Sequence, residues 1–186
     1  MNRIVDRGVD GGTTYRWKTI AEFATNNNWI SGAELGVWYG ETFKYLINNC
    51  PNLTMLGVDL YEQQPDNDGP QKYYPGEDGH KWEHEKYYND MIKFCETTSG
   101  RASIFKGTTV DAAKTVEDNS LDFVFIDADH SFNGVDTDIT HWYPKVKTGG
   151  YVIGHDIHWP GVKQAVEKHF GSNYLTSEDF IWYVIK

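Results

Sequence analysis

Two hydrophobic periods alternate along this chain. Short apolar runs end on charged or polar residues, and between them lie longer stretches with apolar positions at i, i+3, i+4 and i+7. The short runs predict strands over 33–36, 54–59, 102–105, 121–126 and 151–154. The run over 121–126 is almost continuously apolar, as a strand covered on both faces should be. The longer pattern predicts a helix over 17–27, with Ile20, Phe23 and Ala24 inward, and one after Gly40, with Phe43, Leu46, Ile47 and Cys50 inward. A further helix carries Tyr88, Met91, Ile92 and Cys95, and a brief one covers 111–116. The next places Phe132, Val135, Ile139 and Trp142 on one face and is broken by Pro144 and by Gly149-Gly150. Pro160-Gly161 opens a last helix with Val162, Ala165, Val166, His169 and Phe170 at helical spacing. Two closing strands, near 174–175 and 180–185, have only Ser177-Glu178-Asp179 between them and read as an antiparallel hairpin. The order predicts an α/β fold, a doubly wound Rossmann-like sheet. Its seven strands are mostly parallel, with an antiparallel C-terminal edge hairpin.

The pattern lapses in two places. The first fifteen residues, with Gly8, Gly11, Gly12, Thr13 and Thr14, read as a loose arm. From 61 to 85, prolines and glycines alternate with acids and with Tyr73, Tyr74 and Trp82. That stretch is too long and too aromatic for a plain connection and reads as an insertion lying over the site. With 186 residues, the whole chain is expected to form one domain. A formal net charge of −10 argues against a nucleic-acid or anionic-membrane partner. Cys50 and Cys95 have neither metal-ligand spacing nor the density of a disulfide scaffold. The absence of a signal segment or a long apolar run predicts a cytoplasmic protein. The hairpin edge leaves pairing with a second copy, a homodimer, open.

Candidate chemistry gathers at the strand ends. The stretch Gly32-Ala-Glu34-Leu-Gly36-Val37-Trp38-Tyr39-Gly40 passes from strand through two glycines into a helix, which turns backbone N–H groups toward a ligand. Asp59 ends the second strand 23 residues after Gly36, where open α/β sheets grip a ribose. The fourth strand stops at Asp127-Ala128-Asp129-His130 and the fifth at His155-Asp156. One strand-end acid is ordinary, and Asp129 is accounted for as a helix cap before Ser131. Four polar tips on one sheet edge point to a ligand site. His80 and His84, four apart, read as surface residues, since the acid that completes a zinc motif is missing.

Together these motifs resemble the class I S-adenosylmethionine-dependent methyltransferases. The run from Asp122 to Ser131, followed by Gly149-Gly-Tyr-Val-Ile-Gly-His-Asp156, is similar to their small-molecule O-methyltransferase branch, methyltransferase family 24. The resemblance covers about 31–186, apart from much of 61–100. It implies that Glu34, Gly36 and Gly40, with Val37 inside the loop, hold the methionine part of S-adenosylmethionine. It places Asp59, with the adjoining Leu60, at the ribose and Thr108 and Thr109 at the adenine. In metal-dependent members Asp127 matches a divalent-metal ligand that two residues after strand five complete, here His155 and Asp156. The position of His130 holds a base in such relatives.

Two departures stand out: Trp38 replaces the middle glycine of the commonest loop, and His155 replaces an oxygen ligand. Magnesium and calcium prefer all-oxygen shells, whereas imidazole suits manganese, iron or zinc better. The reaction expected is transfer of a methyl group to a hydroxyl of a small molecule, with His130 and Asp127 as the catalytic pair. Two other readings stay open from the residues alone. One is an NAD(P)-dependent oxidoreductase, which would use Asp59 in the same way but lacks G-x-G-x-x-G. The other is a catalytically silent nucleoside-binding module.

Overall fold

The computed structural model describes residues 15–62 and 83–186. The loose arm, and most of the insertion expected at 61–85 with Tyr73, Tyr74, His80 and Trp82, lie outside the described residues. Helix α1 (Arg16–Asn26) leads into β1 (Ser31–Leu35), α2 (Glu41–Asn49), β2 (Thr54–Asp59), α3 (His84–Glu96) and β3 (Ala102–Lys106). The second half runs α4 (Thr109–Ala113), β4 (Leu121–Ile126), α5 (Phe132–Trp142), a 3-10 turn (Tyr143–Lys145), β5 (Val146–Gly154), α6 (Pro160–Phe170), β6 (Leu175–Thr176) and β7 (Trp182–Ile185).

The sheet order is β3-β2-β1-β4-β5-β7-β6. Strands β1 to β5 pair in parallel, while β7 runs antiparallel to both β5 and β6. The hairpin is therefore present, but it is β7 that inserts beside β5, leaving the two-residue β6 at the edge. Chain order reverses between β1 and β4, so the crevice for a ligand opens above the carboxyl ends of these two strands.

Alternation along the strands feeds two cores. Phe123 and Phe125 of β4 pack with Ile20 and Ala24 of α1, Phe43, Leu46 and Ile47 of α2, and Met91 of α3. Val124 and Ile126 point the other way, to Ala112 of α4, Val135, Ile139 and Trp142 of α5, and Val162 and Val166 of α6. Three helices thus cover each face, and β4 is buried on both, as its unbroken apolar run required. Burial of large side chains such as Val135, Ile139 and Trp142 stabilises by about 1.5–3 kcal/mol each. Among the described residues, no helix is long and apolar enough to cross a membrane.

One local expectation changes. Gly149-Gly150 does not precede the fifth strand but lies inside it. Between the pairs Leu121↔Val146 and Phe123↔Tyr151 the register shifts, and Gly149, at φ +82°, takes a conformation that L side chains rarely adopt. Its N–H donates to the carbonyl of Lys186, and the N–H of Lys186 donates to Gly150, so the bulge is tied to the chain end. Asp122, at the opposite edge from the crevice, accepts from the N–H groups of Ile30 and Ser31 and from Lys147 Nζ at 2.6 Å. It pins the start of β1. Burial raises its pKa, but Lys147 and the two amides outweigh that and bring it down.

Candidate active site

The glycine turn joins β1 to α2. Gly36 has φ +84°, and a Cβ there would stand 2.2 Å from the carbonyl oxygen of Asp127, at the tip of the neighbouring strand. Only glycine lets the two strand ends come this close. Gly40 is the N-cap of α2, at φ 83°. Between the glycines, the N–H groups of Val37 and Trp38 donate to Asp59 Oδ2 at 2.9 and 2.8 Å, and the N–H of Tyr61 donates to Oδ1 at 2.7 Å. Asp59 therefore braces the turn. A carboxylate has about four acceptor positions, so about one is left for a ligand hydroxyl, on Oδ1. Leu60 beside it is half-buried.

Glu34 is buried at the end of β1, and its Oε2 has no hydrogen-bond partner among the described residues. Burial, then the charge of Asp127, push its pKa well above the usual carboxylate range, and Arg16 opposes them. Thr108 and Thr109 open α4. The Thr108 hydroxyl caps that helix, accepting from Asp111 N and donating to Asp111 Oδ2. The Thr109 hydroxyl donates to Asp138 Oδ1 at 2.5 Å. Both hydroxyl protons are thus committed within the protein.

The tips of β4 and β5 meet. His130 Nε2 lies 3.2 Å from Asp127 Oδ1 and 3.2 Å from Asp156 Oδ2. Among the described residues, the acids and imidazoles placed to hold a metal ion are Asp127, His130 and Asp156, one ligand atom of each lying within 4.8 Å of the others. Ligands set at right angles around an ion about 2.1 Å away stand roughly 3.0 Å apart, close to the two spacings at His130.

His155, expected as the third ligand, borders the same two carboxylates from the buried side. Its ring is 2% exposed, with Nδ1 at 3.3 Å from Asp156 Oδ2 and 3.7 Å from Asp127 Oδ1, and Nε2 at 3.8 Å from Asp179 Oδ1. Burial would lower the pKa of His155, but the charge of Asp127 and the contacts with Asp156 and Asp179 outweigh it, pushing it up to about 10. For His130 burial is likewise outweighed, by the hydrogen bond and charge of Asp127 and the charge of Asp156, and its pKa rises. Burial of Asp156 acts upward, yet His155 and His130 hold it down at about 2.

Asp129 stays out of this cluster. Its carboxylate accepts from Ser131 N and Ser131 Oγ, and Ser131 in turn caps α5 by accepting from Gly134 N. The ring of Trp159 stands edge-on to His130, with centroids 4.6 Å apart. Two residues without a motif also reach the cluster. Arg16 Nε is 3.4 Å from Asp127 Oδ2, and Asp179 faces His155. Sequence reasoning missed both, since Arg16 stands at the start of a helix and Asp179 in a hairpin turn, where a charged residue is ordinary.

A family profile described as a methyltransferase domain matches residues 33–157. No curated protein sequence matches the chain significantly. Among solved structures, a Staphylococcus aureus protein provisionally assigned as a caffeoyl-CoA O-methyltransferase is similar, with a TM-score of 0.65 and 15% identity over 94% of this chain and 85% of that one. The O-methyltransferase NovP matches with a TM-score of 0.63 and 21% identity, over 92% of this chain and 79% of its own. An O-methyltransferase from Bacillus cereus, solved with SAH, gives 0.62 and 12%, over 92% and 80%. At such identities the likeness speaks for the fold.

Proposed function

This chain belongs to the methyltransferase-domain family, in the class I S-adenosylmethionine-dependent group, and we propose that it methylates a hydroxyl of a small molecule. The observation that carries this reading is the convergence of Asp127, His130 and Asp156 beside the glycine turn that Asp59 braces. We read the chain as one domain.

The described residues fit the cofactor. The buried Glu34 Oε2 is an acceptor for which the described residues supply no donor, as the ammonium of a methionine moiety would require. Gly36, Val37 and Gly40 would take the methionine part, Asp59 Oδ1 a ribose hydroxyl next to Leu60, and the segment at Thr108 and Thr109 the adenine. When bound, S-adenosylmethionine supplies a methyl group on a sulfonium that is already electrophilic. The chain's own task is to align the acceptor and remove its proton.

Asp127, His130 and Asp156 would take up that proton, the imidazole holding it between two carboxylates. The same three donors suit a divalent ion, manganese before magnesium because one of them is an imidazole, and spacings of 3.2 Å fit a shared ion as well as a hydrogen bond. An ion there would lower the pKa of a coordinated hydroxyl, and His155 with Asp179 would then orient its ligands from behind.

Calorimetry with S-adenosylmethionine and with NAD⁺ tests the cofactor assignment, and turnover on a panel of phenols and sugars tests the acceptor. Adenosylmethionine binding that Asp59→Ala weakens is the expected result. Binding of NAD⁺ instead, or binding without methyl transfer to any hydroxyl, would overturn the reading.

A further inference from the structure

The family match ends at residue 157 and begins at 33, yet charged residues from outside those limits complete the cluster. Arg16 is the first residue of α1, and Asp179 lies in the turn between β6 and β7. The N–H of Arg16 donates to Asp179 Oδ2 at 2.5 Å, a bond across 163 positions. Tyr15, the N-cap of α1, offers that helix no side-chain cap, so a distant carboxylate does this work at the positive helix end.

The remaining contacts close a ring. From Asp179 Oδ1 it passes to His155 Nε2 at 3.8 Å, and from His155 Nδ1 to Asp127 Oδ1 at 3.7 Å and Asp156 Oδ2 at 3.3 Å. From Asp127 Oδ2 it returns to Arg16 Nε at 3.4 Å. The side chain of Asp179 is 0% exposed, that of His155 2% and that of Arg16 10%. A buried carboxylate is costly unless paired, and the imidazole that faces Asp179 belongs to this ring. Asp179 and Phe180 also both hold left-handed backbone, at φ +57° and +55°. Two successive L residues in that region are strained, and such strain persists where the surroundings over-determine it. Closing a hairpin requires neither the burial nor the charge.

We propose that Arg16 and Asp179 are positioning residues for the Asp127–His130–Asp156 cluster. Asp179 acts on the His155 ring from behind by its charge, at an ion-pair distance, and Arg16 holds the far oxygen of Asp127. With both ends held, Asp127 Oδ1 and Asp156 Oδ2 stay turned toward His130 Nε2. The inference rests on the methyl-transfer reading of that cluster.

Nitrogen-15 spectra of the histidine rings in the 186-residue chain test it, with thermal melts and adenosylmethionine calorimetry on the same samples. The variants are Asp179→Ala, Arg16→Met and Arg16→Lys. The ring signals of His130 should shift in Asp179→Ala and Arg16→Met, and Arg16→Lys, which restores a cation opposite Asp127, should bring them part of the way back. A drop in melting temperature with unchanged His130 signals would reduce the ring to a staple between α1 and the hairpin, and the proposal would fail. Should Asp179→Ala not fold, the two Arg16 variants, which keep the Arg16 N–H, decide the matter. Wild-type protein that binds no adenosylmethionine would sink the methyl-transfer reading, and the ring spectra report on the geometry independently of it.

Discussion

Asp59 Oδ2 accepts from the main-chain N–H of Trp38 at 2.8 Å, so the acid at the tip of β2 holds the turn that follows β1. The same oxygen takes the N–H of Val37, and Oδ1 takes that of Tyr61. Asp59→Ala should therefore act on the fold as well as on the ligand. Three amides lose their acceptor, at a cost of about 2–3 kcal/mol in a part-buried setting. Urea denaturation should report that loss, and calorimetry an adenosylmethionine affinity at least ~10-fold weaker. Asp59→Asn, which keeps one oxygen, should fall between. Unchanged stability in Asp59→Ala would mean that the turn stands without its brace.

Two glycines with almost the same φ should respond differently to alanine. At Gly36 the new Cβ would meet the Asp127 carbonyl at 2.2 Å, and backbone cannot yield as a flexible side chain does. At Gly149 nothing lies within 4 Å. Gly149→Ala should cost about 1–2 kcal/mol, the left-handed penalty alone. Gly36→Ala should cost at least ~2 kcal/mol more, through overpacking of the two strand ends. Denaturant midpoints of the two variants give the comparison, and equal losses would contradict it.

Asp138 supplies a pH dependence. It is buried on α5, and burial raises its pKa; the Thr109 hydroxyl opposes this, Asp129 adds to it, and the outcome is about 7. In the unfolded chain an aspartate titrates near ~3.9. Between these two values the unfolded state has already released the proton that the folded state keeps, so stability falls as pH rises from about 4 to about 7 and is level above. Asp138→Asn, which keeps an oxygen for Thr109, should abolish that slope. At pH 8 it should be more stable than wild type by up to roughly 4 kcal/mol, with no difference at pH 4. Melting curves at the two pH values suffice, and a parallel pH profile for both proteins would contradict the assignment.

Manganese binding separates the two histidines of the site. Electron paramagnetic resonance of Mn²⁺ should show binding to the wild type and a loss of tenfold or more in His130→Ala and in Asp156→Ala, because both supply atoms of the converging group. Asp129→Ala should leave binding unchanged, since that carboxylate is turned to Ser131. His155→Ala should weaken binding less than His130→Ala, as an orienting residue does. The reverse order would restore His155 as the ligand that its place after β5 suggests.

Local pattern was enough for most of the fold. The limits 54–59 and 121–126 agree with β2 and β4, because an apolar run that ends on a charged residue reports burial and its end without reference to the rest of the chain. The glycine turn and the acids at Asp59 and Asp127 were equally legible, since a strand end and its following residue are neighbours in sequence. The Gly149-Gly150 pair misled because glycine punctuates loops and bulges alike, and the partner Lys186 that distinguishes them is far along the chain.

Which side chains meet was decided by tertiary packing alone. His130 and His155 both follow strand tips, and only the placement of β5 against β4 brings both rings to the same two carboxylates while turning the far nitrogen of His155 toward Asp179. The pairing of Arg16 with Asp179 joins the first described helix to the last hairpin. Hydrophobic periodicity fixes which face of an element is buried, and it is a property of neighbouring residues. The convergence of charges from distant segments depends on how those elements stack and cross, and no local spacing records that.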